Sequence, residues 1–347
     1  MIPDSCLKTI FNKAVVLIAL IFCIVQVPAQ PVKIIFDTDF ALDVDDAGAL
    51  AILHHLADLG ECEILGIVVS SSADSYDGKW AVPCIDAINE WYGRKNIPIG
   101  VFRGINPIKN DSSKYIKQVQ AAFPHQIKSG TDVMEGYKLY RKILSQQPDS
   151  SVIIVSVGFL NNLEKLLQSG PDSISKLTGK ELVSRKVREW SCMGGSYPDG
   201  KEEFNLATYP QASAYVLKNW PGKATFGGFE LGSKVWSGAI LNKLYRKEQN
   251  PVAMCFYCRD KYANNQSWDE LQVLYAVRGL SSYFSAVHGW NTNYYIVPFG
   301  KSSALGRSYT NWRIDPHGRH SYLVPKASYA ELQEVLDQMM SAKPMRK

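Results

Sequence analysis

The chain has 347 residues, of which 46% are hydrophobic and 20% charged, a balance typical of a folded soluble protein. Its net charge is only +5, and it has no dense basic stretch with interleaved aromatic residues, so the composition excludes an obvious nucleic-acid-binding protein. The length is sufficient for one large core or for two modest domains.

Residues 1–29 have the pattern of a secretory signal peptide. Lys8 and Lys13 precede an apolar run over residues 14–25, and a small-residue cleavage site follows, with Ala29 at its last position. An uncleaved membrane anchor is the alternative interpretation. The apolar run is short for a membrane span, which favours cleavage.

A lipoprotein attached through Cys23 is a weaker alternative, because bulky residues precede that cysteine. We therefore expect an exported protein, periplasmic or secreted, without stable membrane association after cleavage. We expect its mature part, residues 30–347, to be a single domain.

Five cysteines remain after cleavage, and Cys255 and Cys258 form the one close pair. The residues around them in the sequence are apolar, which favours packing over redox or metal chemistry.

Five aspartates fall within ten residues, between a predicted strand and a predicted helix. The strand contains the β-branched and aromatic run Ile34-Ile35-Phe36, and the helix covers Ala47 to Leu56. Such a turn lies at the carboxyl end of a strand, where an α/β sheet presents its ligands. Carboxylates crowded there repel one another and stay ionised at little cost only if a cation lies among them. The aspartates are Asp37, Asp39, Asp43, Asp45 and Asp46.

Hard carboxylate oxygens favour Ca²⁺ or Mg²⁺, and no His or Cys is interleaved to suggest zinc. An EF-hand loop is excluded, because no register starting at Asp37 or Asp39 has Gly at its sixth position and Glu at its twelfth. Helix capping is the alternative role: Asp43 or Asp45 can be an N-cap, with Asp46 favourable in the first turn. Capping accounts for one or two of the five aspartates, so the pattern predicts a divalent-cation site.

Asp37-Thr38-Asp39 followed by Asp45-Asp46-Ala47 closely resembles the amino-terminal signature of the inosine-uridine-preferring nucleoside hydrolases, Asp-x-Asp-Pro-Gly-x-Asp-Asp. The chain departs from it in two ways. Phe40-Ala41 replaces Pro-Gly, and two residues are inserted before the paired aspartates. We take Asp45-Asp46 as the matching pair and Asp43 as an extra acid, although a register that includes Asp43 in the pair stays open. The chain is thus identified as a divergent, exported member of that family.

Strands and helices alternate along the rest of the chain, which is typical of parallel βαβ units. The sequence therefore predicts an α/β fold with a mixed, largely parallel sheet flanked by helices around a Rossmann-like core. The polar residues 106–130 are expected to lie over the site as a loop with a short helix. Residues 294–297, Trp312 and residues 322–324 are predicted strands of a terminal hairpin. The predicted strands before this tail are residues 63–70, 97–101, 151–158, 187–192 and 224–231, and the predicted helices are 81–92, 132–144, one from 161, one within 205–212, parts of 251–280 and 329–340.

Later segments resemble further motifs of the family, in the family's order. Val157 stands where the family has a Thr whose backbone carbonyl is a calcium ligand, a role that does not depend on the side chain. Met193-Gly194-Gly195 resembles a segment whose Met lies under the ribose. Glu203-Phe204-Asn205 resembles a motif whose Glu and Asn hold ribose hydroxyls. A further Asn that the family places before this Glu has no clear match here.

Trp268-Asp269 resembles the start of the helix that closes the family's calcium site, with Asp269 as the closing ligand. Many members have His before this Asp, and that His protonates the leaving base. An indole has no useful proton to donate, but it can stack on a heterocycle. Purine-preferring members also carry Trp at this position. A buried Trp in the core is the alternative interpretation of Trp268.

The resemblance implies hydrolysis of the N-glycosidic bond of ribonucleosides, with Asp39 as the general base. The partner is then a small-molecule nucleoside, with purine preference suggested by Trp268, and a dimer or tetramer is expected from the family. The implied Ca²⁺ ligands are Asp39, Asp46, Asp269 and the Val157 carbonyl, and the implied substrate-binding residues are Asp45, Met193, Glu203, Asn205 and Trp268.

Two rival functions stay open. The first is an enzyme of the same fold that acts on another ribosyl or glycosyl compound, which the altered turn and the missing Asn allow. The second is an exported nucleoside- or ribose-binding protein that holds the metal without turnover. Trp268 in place of His favours this second rival, and the presence of Asp39 argues against it.

Overall fold

The computed structural model describes residues 30–105, 113–198, 200–261, 263–291, 294–296 and 307–345. The predicted signal peptide lies outside these described residues, and so does the part of the predicted polar segment at residues 106–112. From Pro31 onward the chain forms one compact unit. None of the helices in the described part of the chain has both the length and the apolar composition of a membrane span.

A ten-stranded sheet organises the molecule. The strands are β1 (Val32–Thr38), β2 (Cys62–Ser72), β3 (Ile99–Phe102), β4 (Met134–Glu135), β5 (Val152–Ser156), β6 (Val187–Met193), β7 (Ala224–Gly227), β8 (Trp236–Ser237), β9 (Asn265–Gln266), β10 (Phe284–Asn291), β11 (Tyr294–Ile296), β12 (Arg307–Tyr309), β13 (Trp312–Ile314) and β14 (His320–Pro325). The order in the large sheet is β13-β10-β14-β7-β6-β5-β1-β2-β3-β4. All neighbours from β14 to β4 are parallel, and β10 pairs antiparallel with both β13 and β14.

Strand β1 lies between β5 and β2 and is buried on both faces, as its β-branched and aromatic composition predicts. Its side chains alternate between the two sides of the sheet. Ile34 and Phe36 belong to one hydrophobic cluster, and Ile35 belongs to the other. Central burial fixes the register of β1 and thus the position of the aspartate-rich turn that follows it.

Helices cover both faces of the sheet. On one face, α1 packs against α12 and α13, and on the other face α4, α5 and α6 pack together. The helices are α1 (Asp45–Asp58), α2 (Tyr76–Trp91), α3 (Ile116–Ala122), α4 (Gly136–Ser145), α5 (Asn161–Gln168), α6 (Gly179–Lys186), α7 (Phe204–Thr208), α8 (Pro210–Asn219), α9 (Phe229–Gly232), α10 (Ile240–Leu244), α11 (Pro251–Asp260), α12 (Trp268–Arg278) and α13 (Tyr329–Met340).

The predicted fold class is confirmed, since the sheet is mixed, largely parallel and flanked by helices. The predicted strand over residues 224–231 is wrong at its carboxyl end. Strand β7 stops at Gly227, opposite Met193, because its partner β6 also ends there. The chain then turns into the short helix α9, which begins at Phe229.

The predicted terminal hairpin is only partly right. Strands β11 and β12 pair with each other as a separate two-stranded sheet, but β13 and β14 join the large sheet. Sequence analysis missed β10, whose polar and exposed positions hide the pattern of a strand. Its antiparallel partner β14 also pairs in parallel with β7, so the tail extends the main sheet instead of forming a unit of its own.

All five cysteines of the described chain are free. Cys255 is buried within α11, and Cys258 one turn later is half-buried. The interpretation of this pair as apolar packing therefore agrees with the structure.

Candidate active site

A cleft of about 140 Å³ opens at the carboxyl edge of the parallel strands. Its place in the sheet is where α/β folds bind their ligands. The described residues that line it are Asp39, Leu42, Asp43, Asp45, Asp46, Val157, Met193, Glu203, Phe204, Asn205, Phe229, Trp268 and Asp269.

Strand and helix termini bring these residues together. Asp39 follows the last residue of β1, Val157 follows the last residue of β5, and Met193 ends β6. The Val157 amide donates a 2.7 Å hydrogen bond to the Asp37 carbonyl, which holds the two strand ends side by side. Asp269 enters from the first turn of α12, on the face of the sheet that carries α1.

The turn between β1 and α1 has an unusual backbone. Ala41 has a φ of +143°, in the region that favours glycine, and it stands where the family signature has Gly. The Thr38 hydroxyl accepts a hydrogen bond from the Phe40 amide and donates one to a carboxylate oxygen of Asp46. From outside the turn, the Tyr115 hydroxyl donates to the Asp43 carbonyl at 2.6 Å. These contacts hold the longer turn in a single shape.

Helix capping does not explain the aspartates. The N-cap of α1 is Val44, and no side chain caps that end. Asp45 and Asp46 are the first two residues of the helix, and Asp43 precedes the cap. The alternative role of Asp43 or Asp45 as N-cap is therefore wrong, and their carboxylates face the cleft instead.

The carboxylates repel one another. One oxygen from each of Asp43, Asp45 and Asp46 lies within 4.8 Å of the other two. Burial, reinforced by the charge of Asp43, raises the pKa of Asp46 to about 8. Burial and the neighbouring Asp46 likewise raise the pKa values of Asp39 and Asp269 well above their usual range. No Lys, Arg or His belongs to the described lining, so no side chain there compensates these charges.

This donor set fits a divalent cation of the hard type. The donors are carboxylate oxygens from three separate elements, together with the buried Val157 carbonyl, and neither sulfur nor imidazole is among them. The Asn205 side-chain amide donates to that carbonyl at 2.8 Å, which fixes its direction. A carbonyl oxygen has two lone pairs, so it can still bind a cation.

Glu203 is the N-cap of α7 and is buried. One carboxylate oxygen accepts from the Asn205 amide at 2.8 Å, and the other accepts from the amides of Gly195 and Leu206 at 2.9 and 3.1 Å. These bonds join the loop after β6 to the start of α7. Burial raises the pKa of Glu203 despite these donors, and its carboxylate still lines the cleft.

Asn205 is placed by the same turn. Its side-chain nitrogen lies 2.8 Å from the Val157 carbonyl oxygen and 3.1 Å from the Met193 sulfur. One side-chain amide thus connects the metal-ligand candidate just after β5, the Met at the end of β6 and the Glu-Phe-Asn segment. Motifs that follow one another along the chain thus lie side by side in one wall of the cleft.

Trp268 lines the cleft with its indole N–H already engaged by the protein. Its indole N–H donates to the Phe229 carbonyl at 2.9 Å, and the two aromatic rings lie 5.4 Å apart at 30°. Gly232 makes room for this placement, because a Cβ there would lie 2.3 Å from the Trp268 Cδ1. Trp268 is half-buried and lines the cleft, so the alternative of a purely core tryptophan does not hold.

The structure brings every predicted site residue into this one cleft, and their chemical roles stay predictions. Leu42, Phe204 and Phe229 also line the cleft and were missed. Phe204 is the middle residue of the Glu-Phe-Asn motif, so its place in that motif was a usable signal. No such signal pointed to Phe229. It was assigned to a predicted strand over residues 224–231, but the observed strand ends two residues before it.

Comparison with known proteins agrees with the fold and gives the family. The family model described as inosine-uridine preferring nucleoside hydrolase matches residues 34–326. A search of curated protein sequences found no match.

Among solved structures, the effector protein XOO4466 has a TM-score of 0.65 at 14% identity, covering 92% of this chain and 95% of its own. The inosine-uridine preferring nucleoside hydrolase from Bacillus anthracis has a TM-score of 0.60 at 14% identity, covering 89% and 99%. The type III effector XopQ, crystallised with adenosine diphosphate ribose, has a TM-score of 0.63 at 13% identity, covering 92% and 94%. Likeness at this identity concerns the fold, whereas the family model covers most of the sequence. The chain therefore belongs to the inosine-uridine preferring nucleoside hydrolase family.

Proposed function

We propose that this protein hydrolyses the N-glycosidic bond of ribonucleosides to ribose and free base, with a bound Ca²⁺. One observation carries the proposal. Asp39, Asp46, Val157 and Asp269 line the same cleft, and no positive side chain is among its described lining residues. A member of this family with such a charge imbalance needs a cation at that place.

A calcium ion held by these four groups would orient the ribose diol and make a nearby water more acidic. Asp39 is the general base and takes the proton from the attacking water. Asp39 follows the end of the central strand and lines the cleft, a position that suits this role.

The sugar is held by groups on three sides. Asp45 and Asn205 bind ribose hydroxyls, Glu203 binds the other end of the sugar, and Met193 lies under the ring. The hydrogen bonds of Asn205 and Glu203 to the backbone keep these side chains rigid, so little order must be gained on binding. The surrounding carboxylates favour the positive charge that the ribose ring develops in an oxocarbenium-like transition state.

The base lies against Trp268. Because the indole N–H is engaged with the Phe229 carbonyl, Trp268 contributes stacking and not proton transfer. A larger ring system gains more from stacking, so we propose a preference for purine nucleosides.

Ribose release tests this function. Residues 30–347 are incubated with inosine, guanosine, adenosine, uridine and cytidine, each with Ca²⁺ and with chelator. Calcium-dependent release, strongest from the purine nucleosides, is the expected result. Release that is unaffected by chelator would contradict the metal assignment, and release from pyrimidine nucleosides alone would contradict the stacking role of Trp268.

A second candidate is a protein of this fold that binds or cleaves a larger ribosyl compound. The likeness to XopQ, which was crystallised with adenosine diphosphate ribose, favours it. Leu42 and Asp43, which belong to the lengthened turn, also line the cleft. No ribose from any of the five nucleosides, combined with calorimetric binding of adenosine diphosphate ribose, would support this candidate over the first.

A further inference from the structure

We propose that the preferred substrates are N-ribosides whose heterocycle carries a positive charge at the ring, such as N-ribosylpyridinium compounds and N7-alkylated purine ribosides. This inference rests on the proposed function and names its substrate class. It follows from three features of the cleft: its excess of negative charge, its exposed aromatic faces and the engaged indole N–H.

The cleft has more carboxylates than one divalent cation would compensate. Asp39, Asp46 and Asp269, when ionised, would outweigh the charge of such a cation, and Asp43 and Asp45 line the same cleft. Asp43 belongs to the longer turn of this chain, and it is an extra acid when Asp45 and Asp46 are taken as the signature pair. A cationic ligand is therefore attracted to this cleft, whereas an uncharged ligand gains no binding energy from the excess negative charge.

Three aromatic side chains belong to the lining. Phe204 is 56% exposed and Phe229 is 48% exposed, and both line the cleft together with Trp268. Phe229 also contacts Trp268, with the two rings 5.4 Å apart. The faces of such rings attract cations, and tryptophan does so most strongly.

The orientation of Trp268 determines whether its indole offers a proton donor or a ring face to a ligand. Its N–H donates to the Phe229 carbonyl, and the tilted contact of the two rings limits rotation of the indole. Gly232 accommodates the indole edge, where a larger residue would displace it. The indole therefore offers its negative face and keeps its positive edge against the protein.

The chemistry of a cationic heterocycle suits this wall. Water attacks C1′ of the ribose, and Asp39 receives the proton that the water loses. The C1′–N bond breaks, and its electron pair stays on the ring nitrogen. The heterocycle leaves as a neutral molecule, so no proton donor is required at the base. The products are ribose, the neutral heterocycle and one proton, and no co-reactant is needed.

The test compares 7-methylguanosine with guanosine in mildly acidic buffer, where the methylated purine is a cation. The ratio of their kcat/KM values is measured for the wild type, for Trp268→Leu, for Asp43→Asn and for Glu334→Gln. Glu334 is a carboxylate on α13 outside the cleft, so its variant controls for loss of charge alone. Far-ultraviolet circular dichroism establishes that each variant is folded.

We expect the wild type to favour the cation, and we expect the ratio to fall about tenfold in Trp268→Leu. In Asp43→Asn the ratio falls about fivefold, because one nearby charge is lost. The ratio is unchanged in Glu334→Gln. A wild-type ratio at or below one overturns the inference. A high ratio that all variants keep also overturns it, because the preference then reflects only the better leaving group.

The inference can fail while the proposed function stands, when guanosine is cleaved and 7-methylguanosine is not preferred. If neither nucleoside is cleaved, the wild type is titrated with both by calorimetry in the presence of Ca²⁺. Tighter binding of the cation, lost in Trp268→Leu, supports the recognition of charge although hydrolysis has failed. Equal or weaker binding of the cation overturns the inference as well.

Discussion

Two groups of buried polar side chains in this molecule handle charge in opposite ways. Arg141, on α4, is 0% exposed and donates hydrogen bonds through all three of its nitrogens. Asp172 accepts two of them at 2.8 and 2.9 Å, and this guanidinium holds the pKa of Asp172 at about 2. The remaining acceptors are the Ser169 hydroxyl and the carbonyls of Ser175 and Leu177.

The cleft contains the reverse arrangement. Its aspartates are charges of one sign, their pKa values are raised, and its described lining has no cationic side chain. A buried charge is tolerated when it is paired and hydrogen-bonded, and it is costly when it is not. The difference separates a group that serves the fold from one that suits a ligand. The charges of the Arg141 group are paired within the protein, whereas under the proposed function the aspartate group is completed by a cation and a substrate.

The largest effect is expected from Asp39→Asn. Loss of the general base and of one metal ligand should lower kcat by at least roughly 10³-fold. The free energy of unfolding in chelator should not fall, because one repulsive charge is removed. Ribose release and urea unfolding measure the two effects. Asp172→Asn, from the Arg141 group, is the matched control and should keep its turnover; equal loss in both variants would show that the comparison is wrong.

Arg141→Ala should act on stability instead. The Arg141 guanidinium is fully buried, whereas Asp172 is partly exposed. Removal of the guanidinium leaves its hydrogen-bond acceptors without a partner, so the urea midpoint should fall. The same loss is expected with Ca²⁺ and with chelator, because the Arg141 group does not line the cleft. A loss below about 1 kcal/mol would place this network among the weak surface pairs.

Trp268→Ala should weaken catalysis without unfolding the chain. Stacking of a base on an aromatic side chain contributes about 1–3 kcal/mol, which corresponds to a fall of roughly five- to 150-fold in kcat/KM for a purine nucleoside. Trp268→Phe is the matched control and should recover part of the loss. Unchanged kcat and KM in Trp268→Ala would refute the stacking role.

Ala41→Gly should have the smallest effect. The φ of +143° is strained for alanine and relaxed for glycine, but glycine also makes the unfolded chain more flexible. A net stabilisation below about 1 kcal/mol is therefore expected, measured by thermal unfolding in chelator. A clear destabilisation would mean that the methyl group of Ala41 stabilises the turn by packing, since this residue is fully buried.

Much of this arrangement was predictable from the sequence, since strong local signals coincide with it. The run Ile34-Ile35-Phe36 predicted the central strand. The pattern is clear because β1 lies between β5 and β2, where its side chains are buried. The order of the later motifs predicted that Met193, Glu203 and Asp269 would meet. That prediction depended on resemblance to a family and not on periodicity.

What the sequence did not predict depends on contacts between distant residues. Phe229 reaches the cleft because β7 stops where β6 stops, and sheet pairing of that kind leaves no local signal. Strand β10 was missed because it is defined by pairing with β14, and His288 and Ser285 at its exposed positions interrupt the pattern. The direction of the Trp268 N–H was likewise set by the Phe229 carbonyl, 39 residues away.

Titration of the metal-free protein with Ca²⁺ tests the central claim most directly. The account predicts one binding site by calorimetry and a gain in unfolding free energy of about 2.7 kcal/mol when the free ion is a hundredfold above its dissociation constant. Both effects should be lost in Asp46→Asn and kept in Asp172→Asn. A folded wild type that binds neither Ca²⁺ nor Mg²⁺ would contradict the account, because the aspartates of the cleft would then be buried together without the cation that their arrangement requires.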